Sequence, residues 1–377
     1  MSRIAVLGSG AWGTAIALAL DRRGDHHITL WSHSKEEAAV IAAARENTLF
    51  LPGFSLADSI HVTSDPDPVA LAEIVVSVIP SEFLRPTIAR LRPYFRPGQI
   101  IVSATKGIEN ESCLRMTEVI ASALGAAEPR SGEAAGRGAK SDVHLEVFTE
   151  PDAPEVSSSG IAAAPGALDA LNLSFGAFSG PTFALEVAQG QPTAITVAFN
   201  DPALAARVQN EFSSETVRLY TTTDVIGVEL GGALKNVIAI AAGVAAGAGL
   251  GYNSAAALMT RGIAEITRLA VACGGRRETL AGLSGTGDLV LTCTGSLSRN
   301  RTVGQALGQG RKLPEILASL GGKVAEGVLT TRAALELARH HSIEMPITEQ
   351  MELILDEGKD PREAIKDLML RPGKGEH

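Results

Sequence analysis

Cysteine is scarce in this sequence, and the cysteines that are present form no pairing pattern. The chain of 377 residues has three of them, Cys113, Cys273 and Cys293, which lie far apart with no CxxC spacing. Isolated thiols of this kind are typical of a reducing compartment and exclude a disulfide framework as the basis of the fold. The eight histidines show no HxxxH or HExxH pattern, so we expect no metal site.

A surplus of positive charge is also missing. The chain carries 33 lysines and arginines against 42 aspartates and glutamates, which gives a net charge of −9. Nucleic acid is bound through an excess of Lys and Arg, so we expect no such partner, and any anionic ligand must be held by a local site. The first residues lack the apolar core and cleavage site of a signal peptide. These features favour a cytoplasmic protein.

One stretch is long and uncharged enough to raise the question of a membrane span. Residues 236–260 contain no charge, and Gly243, Gly247 and Gly251 form a series of small residues at a spacing of four. Alanine and glycine dominate the stretch, however, and they enter a bilayer less favourably than Leu or Ile. We therefore predict a buried central helix with closely packed neighbours, and no stable membrane insertion.

Strand and helix patterns alternate through the first half of the chain. Continuous apolar runs at residues 4–7, 28–31, 74–79 and 100–103 are each followed by a predicted helix, the last near 112–124. Such an alternation predicts a parallel sheet covered by helices on both faces. Further strands are expected at 173–178, 195–199 and 217–220, and only helices follow Thr223.

The fold class is therefore α/β, with an N-terminal Rossmann-like, doubly wound sheet followed by an all-helical C-terminal domain. We expect a dinucleotide-binding domain over residues 1–215 and a helical substrate-binding domain over 216–377. Residues 127–170 are rich in Ala, Gly, Ser, Pro and charge, and such a composition cannot bury enough apolar surface to offset its ordering entropy. We expect a flexible surface insertion there, without an assigned role.

A glycine loop follows the first strand directly. The stretch GSGAWG fits the pattern G-x-G-x-x-G with Gly8, Gly10 and Gly13, and a predicted helix follows it. In this context the first glycine makes the turn, the second lets a pyrophosphate approach the backbone, and the third lets helix and strand pack closely. The loop predicts a dinucleotide site rather than a tight turn without a ligand.

The end of the second strand bears on the choice of cofactor. An NAD-specific site usually has an acidic residue about twenty residues after the third glycine, whereas this chain has WSHSK there. His33 and Lys35 could attract a 2′-phosphate, while Glu36 leaves the use of NAD open. We therefore expect NADPH or NADH as the cofactor.

Two lysines stand where catalysis could occur. Lys106, in ATKG, follows the strand at 100–103 and lies at the edge where a doubly wound sheet binds its ligands. Lys235 lies among apolar residues in GGALKNVI, so it either reaches the surface or is partly desolvated. Desolvation lowers the pKa of an ammonium towards neutrality, which suits a group that passes a proton to a carbonyl oxygen. The pattern alone leaves both interpretations of Lys235 open.

Two further loops carry polar groups. The stretch SGPTFA at 179–184 puts a Gly-Pro turn before a predicted helix, where backbone N–H groups are available. In GSLSRNR, Ser298, Arg299 and Asn300 combine a helix cap, a guanidinium and an amide. That set suits a phosphate group, although a solvated helix start would carry the same residues.

Taken together, the motifs resemble those of the bacterial NAD(P)-dependent glycerol-3-phosphate dehydrogenases. They are GSGAWGTAIA, ATKGIE, SGPTFALEVA, GVELGGALKNVIAIAAG, TRGIAEITRLA, GLSGTGDLVLTCTGSLSRNR, EGVLTT and MPITE, in the family's order over nearly the whole chain. The resemblance implies interconversion of dihydroxyacetone phosphate and sn-glycerol 3-phosphate in the cytoplasm, feeding glycerophospholipid synthesis. The oligomeric state is left open, with a homodimer as a hypothesis.

The resemblance also implies roles for individual residues. Lys235 matches the family's proton donor and acceptor. Implied cofactor contacts are Gly8, Gly10, Ala11, Trp12, Gly13, His33, Lys106, Ala184, Arg299, Val324 and Glu326. Implied substrate contacts are Lys106, Gly180, Thr182, Lys235, Asp288, Ser298, Arg299 and Asn300. Ala11 departs from the serine of many relatives, and the insertion after Leu124 departs from the usual family pattern.

Two rival functions stay open on the sequence. One is a related two-domain reductase that acts on a hydroxy acid, which the Ser-Arg-Asn run disfavours because it suits a phosphate dianion. The other is a cofactor-binding sensor or scaffold without catalysis, which the retention of Lys235 disfavours. Oxidation of NADPH on addition of dihydroxyacetone phosphate distinguishes all three.

Overall fold

A computed structural model describes residues 1–125, 172–320, 325–373 and 375. The predicted insertion at 127–170 and the candidate cofactor residue Val324 lie outside the described residues. All statements below concern the described part of the chain.

Ten strands are described, and eight of them form one sheet. They are β1 (Ser2–Leu7), β2 (His26–Trp31), β3 (Glu46–Asn47), β4 (Leu51–Ser55), β5 (Ile60–Thr63), β6 (Ile74–Ser77), β7 (Ile100–Ser103), β8 (Ser174–Ser179), β9 (Thr193–Phe199) and β10 (Val217–Thr222). The sheet order is β10-β9-β8-β7-β6-β1-β2-β5, and β3 and β4 form a separate antiparallel pair. The strand order reverses between β1 and β6, which is where ligands bind in doubly wound sheets.

Sixteen α-helices are described alongside the strands. Those in the first half are α1 (Ala11–Asp21), α2 (Lys35–Ala44), α3 (Asp67–Leu71), α4 (Ser81–Leu91), α5 (Met116–Leu124), α6 (Ala184–Ala188) and α7 (Pro202–Phe212). The rest are α8 (Val225–Gly247), α9 (Tyr252–Ala272), α10 (Arg277–Ala281), α11 (Asp288–Thr294), α12 (Arg299–Gly308), α13 (Leu313–Ser319), α14 (Glu326–His340), α15 (Pro346–Asp356) and α16 (Pro361–Met369). A 3₁₀ turn spans Arg92–Tyr94, and a π-helical turn spans Leu283–Gly287.

The predicted doubly wound sheet is confirmed, but its last two strands do not follow the parallel pattern. β1, β2, β5, β6, β7 and β8 are mutually parallel, whereas β9 runs antiparallel to β8, and β10 runs parallel to β9. The connection from β8 to β9 explains the reversal. α6 is about 7 Å long at 1.5 Å per residue, too short to carry the chain back along a strand of about 20 Å. α7 spans about 16 Å, so β10 returns parallel to β9.

Both faces of the sheet are covered by apolar cores. Alternate residues of β1 point to opposite sides, so Ile4 and Val6 join one core, and Ala5 and Leu7 join the other. The expected domain boundary at residues 215 and 216 precedes β10, which belongs to the sheet, so the helical part begins with α8 at Val225. The division into two domains stays a prediction.

Residues 236–247 are the second half of α8, the central helix of the helical part, whereas residues 252–260 begin α9, so the predicted single buried helix is interrupted at 248–251. A Cβ on Gly243 would lie 2.1 Å from the Arg301 carbonyl oxygen, and one on Gly304 would lie 1.9 Å from that of Ile240. Glycine is therefore required for α8 and α12 to pack this closely. α8 is long and apolar enough to cross a membrane, but 94% of its most apolar window is buried inside the fold. Gly251 lies outside the helix and takes no part in this packing.

Candidate active site

The glycine loop joins β1 to α1 at the point where the strand order reverses. Gly8 has a φ of +118°, and a Cβ there would lie 2.9 Å from the Val78 carbonyl oxygen. A Cβ on Gly13 would lie 1.9 Å from the Gly8 carbonyl oxygen, so this glycine allows the helix to pack on the strand. A Cβ on Gly10 would meet no atom of the described residues within 4 Å.

The start of α1 has the properties that a pyrophosphate requires. Gly10 is the N-cap residue, and no side chain of the described residues caps the helix. The first backbone N–H groups of a helix lack intrahelical acceptors, and they attract anions. Open space beside Gly10 and an uncapped helix start therefore fit the phosphates of a dinucleotide.

Asn47 supports this loop, although no sequence motif marks it. Its side chain is buried, and Nδ2 donates to the Ser9 carbonyl oxygen at 2.6 Å and to Thr14 Oγ1 at 2.8 Å. Asn47 lies in the short strand β3, 34 residues beyond the last loop glycine, and no local pattern connects the two. Asn47 therefore stabilises the loop from its buried side, and the space beside Gly10 stays open.

The end of β2 carries acidic groups supplied by the next helix. His33, a predicted cofactor contact, is exposed, while Ser34 Oγ caps α2 by accepting from the Glu37 N–H at 3.1 Å. Ser32 Oγ donates to Glu37 Oε2 at 3.2 Å, and Ser34 Oγ donates to Glu36 Oε2 at 3.0 Å. Carboxylates therefore lie close to the position that distinguishes the two cofactors, which agrees with leaving the use of NAD open.

Lys106 lies just beyond β7, and it gathers three of the predicted substrate residues. Its Nζ donates to Asp288 Oδ2 at 2.6 Å, to the Gly180 carbonyl oxygen at 3.1 Å and to Thr182 Oγ1 at 3.4 Å. Gly180 has a φ of +159°, and a Cβ there would lie 3.1 Å from the Ala194 carbonyl oxygen. The loops after β7 and β8 thus meet the helical part of the chain at this lysine.

Lys235 lies on α8, and its Nζ contacts the same carboxylate. It donates to Asp288 Oδ1 and, at 2.7 Å, to Thr292 Oγ1. Asp288 has an exposed fraction of 0%, so its two oxygens bridge the two lysines inside the protein. Thr292 was not identified from the sequence, although its spacing of four from Asp288 on one helix places both on the same face.

Burial lowers the pKa of Lys235 to about 7. Loss of water disfavours the ammonium form most strongly, the Asp288 carboxylate opposes this effect, and the nearby Lys106 ammonium reinforces it. A pKa near neutrality allows the amine to be protonated and deprotonated at physiological pH. Lys235 is 5% exposed, so of its two interpretations the desolvated one is observed.

The predicted phosphate residues begin α12. Ser298 Oγ accepts from the Arg301 N–H at 3.2 Å and caps the helix, and Arg299 is exposed in its first turn. Asn300 is buried, and its Oδ1 accepts from the Gly327 N–H at 3.0 Å. A Cβ on Gly327 would lie 2.7 Å from the Asn236 carbonyl oxygen, so this group adjoins the turn of α8 that carries Lys235.

The remaining candidates lie around the same edge. Glu326 accepts from the Ser81 N–H at 3.3 Å and from Ser81 Oγ at 2.5 Å, and burial raises the pKa of its carboxyl group. It therefore joins the start of α14 to the start of α4. Trp12 and Ala184 are half-buried, and both pack against the core on one face of the sheet. Ala11 opens α1 beside Gly10.

Fold and site together define a class of protein. A doubly wound sheet offers a dinucleotide cradle, and a helical lobe places a buried lysine with a near-neutral pKa beside the loops at the same edge. This combination is that of a dinucleotide-dependent dehydrogenase.

Comparison with known proteins identifies the family. Residues 3–149 match the family described as NAD-dependent glycerol-3-phosphate dehydrogenase N-terminus, and residues 224–366 match the corresponding C-terminus family. A relative from Koribacter versatilis, named glycerol-3-phosphate dehydrogenase (NAD(P)+), is 52% identical over 377 residues, which cover 100% of this chain and 99% of the relative. One of the same name from Acidobacterium capsulatum is 52% identical over 380 residues, covering 100% of both chains. The chain belongs to the NAD-dependent glycerol-3-phosphate dehydrogenase family.

Solved structures agree with this assignment. The crystal structure of glycerol-3-phosphate dehydrogenase from Coxiella burnetii has a TM-score of 0.82 and 34% identity, and it covers 98% of this chain and 99% of that one. The predicted fold class and oxidoreductase activity are therefore confirmed. The roles of the individual site residues stay predictions.

Proposed function

We propose that the chain reduces dihydroxyacetone phosphate to sn-glycerol 3-phosphate, reversibly, with NADPH or NADH, and that Lys235 is the proton donor. A bound nicotinamide supplies hydride to the carbonyl carbon. Lys235 Nζ gives its proton to the carbonyl oxygen, and the resulting amine takes a proton from solvent before the next turnover. The product would supply glycerophospholipid synthesis. The observation that carries this proposal is the single buried carboxylate shared by Lys235 and Lys106.

The hydrogen bonds favour Lys235 over Lys106 as the donor. An ammonium group has three N–H donors. Within the described residues, all three of those on Lys106 have protein acceptors, whereas Lys235 has two, Asp288 and Thr292. Lys235 thus has one N–H left for a substrate oxygen. Lys106 is suited to hold Asp288 and the loop at Gly180 in place.

The bridging position of Asp288 favours a role in orienting the lysines. Both of its oxygens accept from ammonium groups, and the residue has no exposed surface. Because Asp288 is fully buried, a direct contact with substrate would require the groups around it to move. We therefore propose that Asp288 holds Lys235 in position and stabilises its protonated form.

The phosphate of the substrate is assigned to the start of α12. Arg299 is an exposed residue in the first turn of this helix, and a guanidinium binds phosphate through paired N–H groups. Ser298 caps the helix through its oxygen and keeps a hydroxyl proton to donate, while Asn300 fixes the helix start against Gly327. This arrangement suits a phosphorylated ketone better than a hydroxy acid.

The direct test is oxidation of NADPH, followed by its absorbance, on addition of dihydroxyacetone phosphate. We expect turnover in the unmodified chain and a fall in kcat of orders of magnitude in Lys235→Ala, with the Kd for NADPH nearly intact. Lys312→Ala removes an exposed lysine at the start of α13 and serves as the control that keeps full activity. An unchanged kcat in Lys235→Ala would remove that residue from its proposed role.

Cytoplasmic location and a homodimer remain proposals of the same kind. The three cysteines are free, two of them buried, which suits a reducing compartment. The molar mass in solution, measured by light scattering against the 39.1 kDa chain, tests the dimer.

A further inference from the structure

A second buried carboxylate, Glu229, lies on α8 six residues before Lys235. Its exposed fraction is 7%, and it does not contact the site described above. Oε1 accepts from the Thr117 N–H at 2.8 Å, and Oε2 accepts from Thr117 Oγ1 at 2.8 Å and from Arg115 Nη1 at 2.5 Å. Glu118 pairs with the same arginine at 2.5 Å. Glu229 therefore fastens α8 to the start of α5.

The segment bound by Glu229 is the one that carries Lys106. Residues 104–115 leave β7 at Ala104, pass through Lys106 and return through an antiparallel bridge between Ile108 and Arg115. The start of α5, which Glu229 holds, is thus the far end of the loop on which Lys106 is placed. The same loop meets α8 again through the Lys106–Asp288–Lys235 bridge.

Glu229 and Lys235 flank Gly232 on α8, about 120° apart around the helix axis. Gly232 is between them at a spacing of three from each, and a Cβ on it would lie 2.5 Å from Ser179 Oγ and 3.7 Å from Lys106 Cγ. Residues three apart on a helix are surface neighbours. The contacts of Glu229 with α5 and of Lys235 with Asp288 are about 9 Å apart along the axis of α8. Together they fix the rotation of α8 about its axis and its position along that axis.

We propose that Glu229 is a positioning residue for the reaction: by anchoring α8 to the segment that carries Lys106, it sets the orientation in which Lys235 meets Asp288. The inference rests on the function proposed above for Lys235. Every residue from Gly227 to Ala245 is buried, so a rotated α8 would keep Lys235 away from water while removing it from Asp288. Burial lowers the pKa of Lys235 and Asp288 raises it, so loss of orientation lowers this pKa further.

The helical part of the chain contains a matched control. Glu265, on α9, is also buried and accepts from a threonine N–H and hydroxyl, those of Thr348, at 2.9 and 2.7 Å. It also accepts from the Ile347 N–H at 3.0 Å, and it caps α15. Burial raises the pKa of both Glu229 and Glu265. Of these two glutamates, only Glu229 joins α8 to the segment that carries Lys106.

The experiment compares Glu229→Gln with Glu265→Gln in the full chain. For each we measure kcat for NADPH-dependent reduction of dihydroxyacetone phosphate from pH 5.5 to 8, the Kd for NADPH and the melting temperature. In Glu229→Gln we expect kcat at pH 7 to fall about tenfold or more, because small displacements of a catalytic group have effects of this size. The pH at which kcat is half-maximal should move down, and the Kd should stay within twofold. Glu265→Gln should lower the melting temperature and leave kcat and its pH midpoint unchanged.

Thr117→Val and Thr348→Val repeat the comparison with a milder change. They test the positioning role of Glu229 even if Glu229→Gln does not fold. Each removes one hydroxyl bond to its glutamate and keeps the backbone bond. Only Thr117→Val should lower kcat and move the midpoint. The inference is overturned if Glu229→Gln folds and keeps the original kcat and pH midpoint. It is also overturned if Glu265→Gln changes kcat and the pH midpoint as much as Glu229→Gln does. If Lys235→Ala itself keeps full turnover, the proposed function has failed instead, and the two failures are distinct.

Discussion

Replacing Asp288 by asparagine tests how the site controls its proton. The carboxylate has two oxygens for two ammonium groups, whereas an amide has one oxygen, so one lysine loses its acceptor. Lys235 stays buried but loses the charge that favours its protonated form. A buried opposite charge moves a pKa by about 1–3 units, so we take the pKa of Lys235 from about 7 to about 5.

The expected loss of rate follows from the protonated fraction. Because the ammonium is the acid in ketone reduction, activity is present below the pKa of Lys235 and lost above it. At pH 7 the protonated fraction falls from about one half to about 1%, which lowers the rate of reduction roughly fifty-fold. On going from pH 7 to pH 5.5, Asp288→Asn should recover more than tenfold in rate, whereas the unmodified chain should gain about twofold.

The assay is the initial rate of NADPH oxidation at saturating dihydroxyacetone phosphate, measured across this pH range. Asp201→Asn, which alters the exposed carboxylate that caps α7, is the control and should keep the original profile. An Asp288→Asn variant that is equally impaired at every pH would refute the reasoning. The carboxylate would then act through geometry alone, and the pKa of Lys235 would not limit the rate.

The remaining predictions concern the phosphate and cofactor sites. Arg299→Ala should raise the KM for dihydroxyacetone phosphate, and equal loss for a ketone without phosphate would contradict the assignment. Gly10→Ala should keep its melting temperature but lose at least tenfold in affinity for NADPH, because its φ of −65° accepts alanine and the methyl group would enter the open space meant for the pyrophosphate. Gly13→Ala should instead lower the melting temperature, since its Cβ would lie 1.9 Å from the Gly8 carbonyl oxygen; an unchanged melting temperature would contradict this packing argument.

The parts of the fold that depend on local pattern could be predicted from the sequence. The apolar runs of β1, β6 and β7 are continuous because both faces of these strands are buried. β5, with the sequence IHVT, is short and half polar, so it was missed. The reversed direction of β9 depends on the length of α6, which the sequence does not mark by any clear boundary.

Some residues of the candidate site could likewise be predicted from the sequence, and others could not. Lys235 could be singled out because a charge in an apolar helix is unusual, and Glu229 stands out on the same helix for the same reason. Asn47 could not be found, since its role depends on a contact across 38 residues of chain with Ser9. The family resemblance implies a substrate contact for Asp288, and only the folded chain shows that both of its oxygens accept from lysines.

The net charge of the whole chain is negative, whereas that of the candidate site is positive, and a positive site suits a phosphorylated substrate. At physiological ionic strength, exposed charges are screened beyond about 8 Å, so the net charge of −9 has little effect at the candidate site. There, two lysines share one aspartate and Arg299 stands near Glu326, which leaves the local balance positive. In the proposed mechanism, a phosphate dianion is therefore attracted by groups other than the proton donor. Lys106 donates to three protein acceptors, and the phosphate is assigned to Arg299. Lys235 can therefore keep a pKa near neutrality without also having to bind the phosphate.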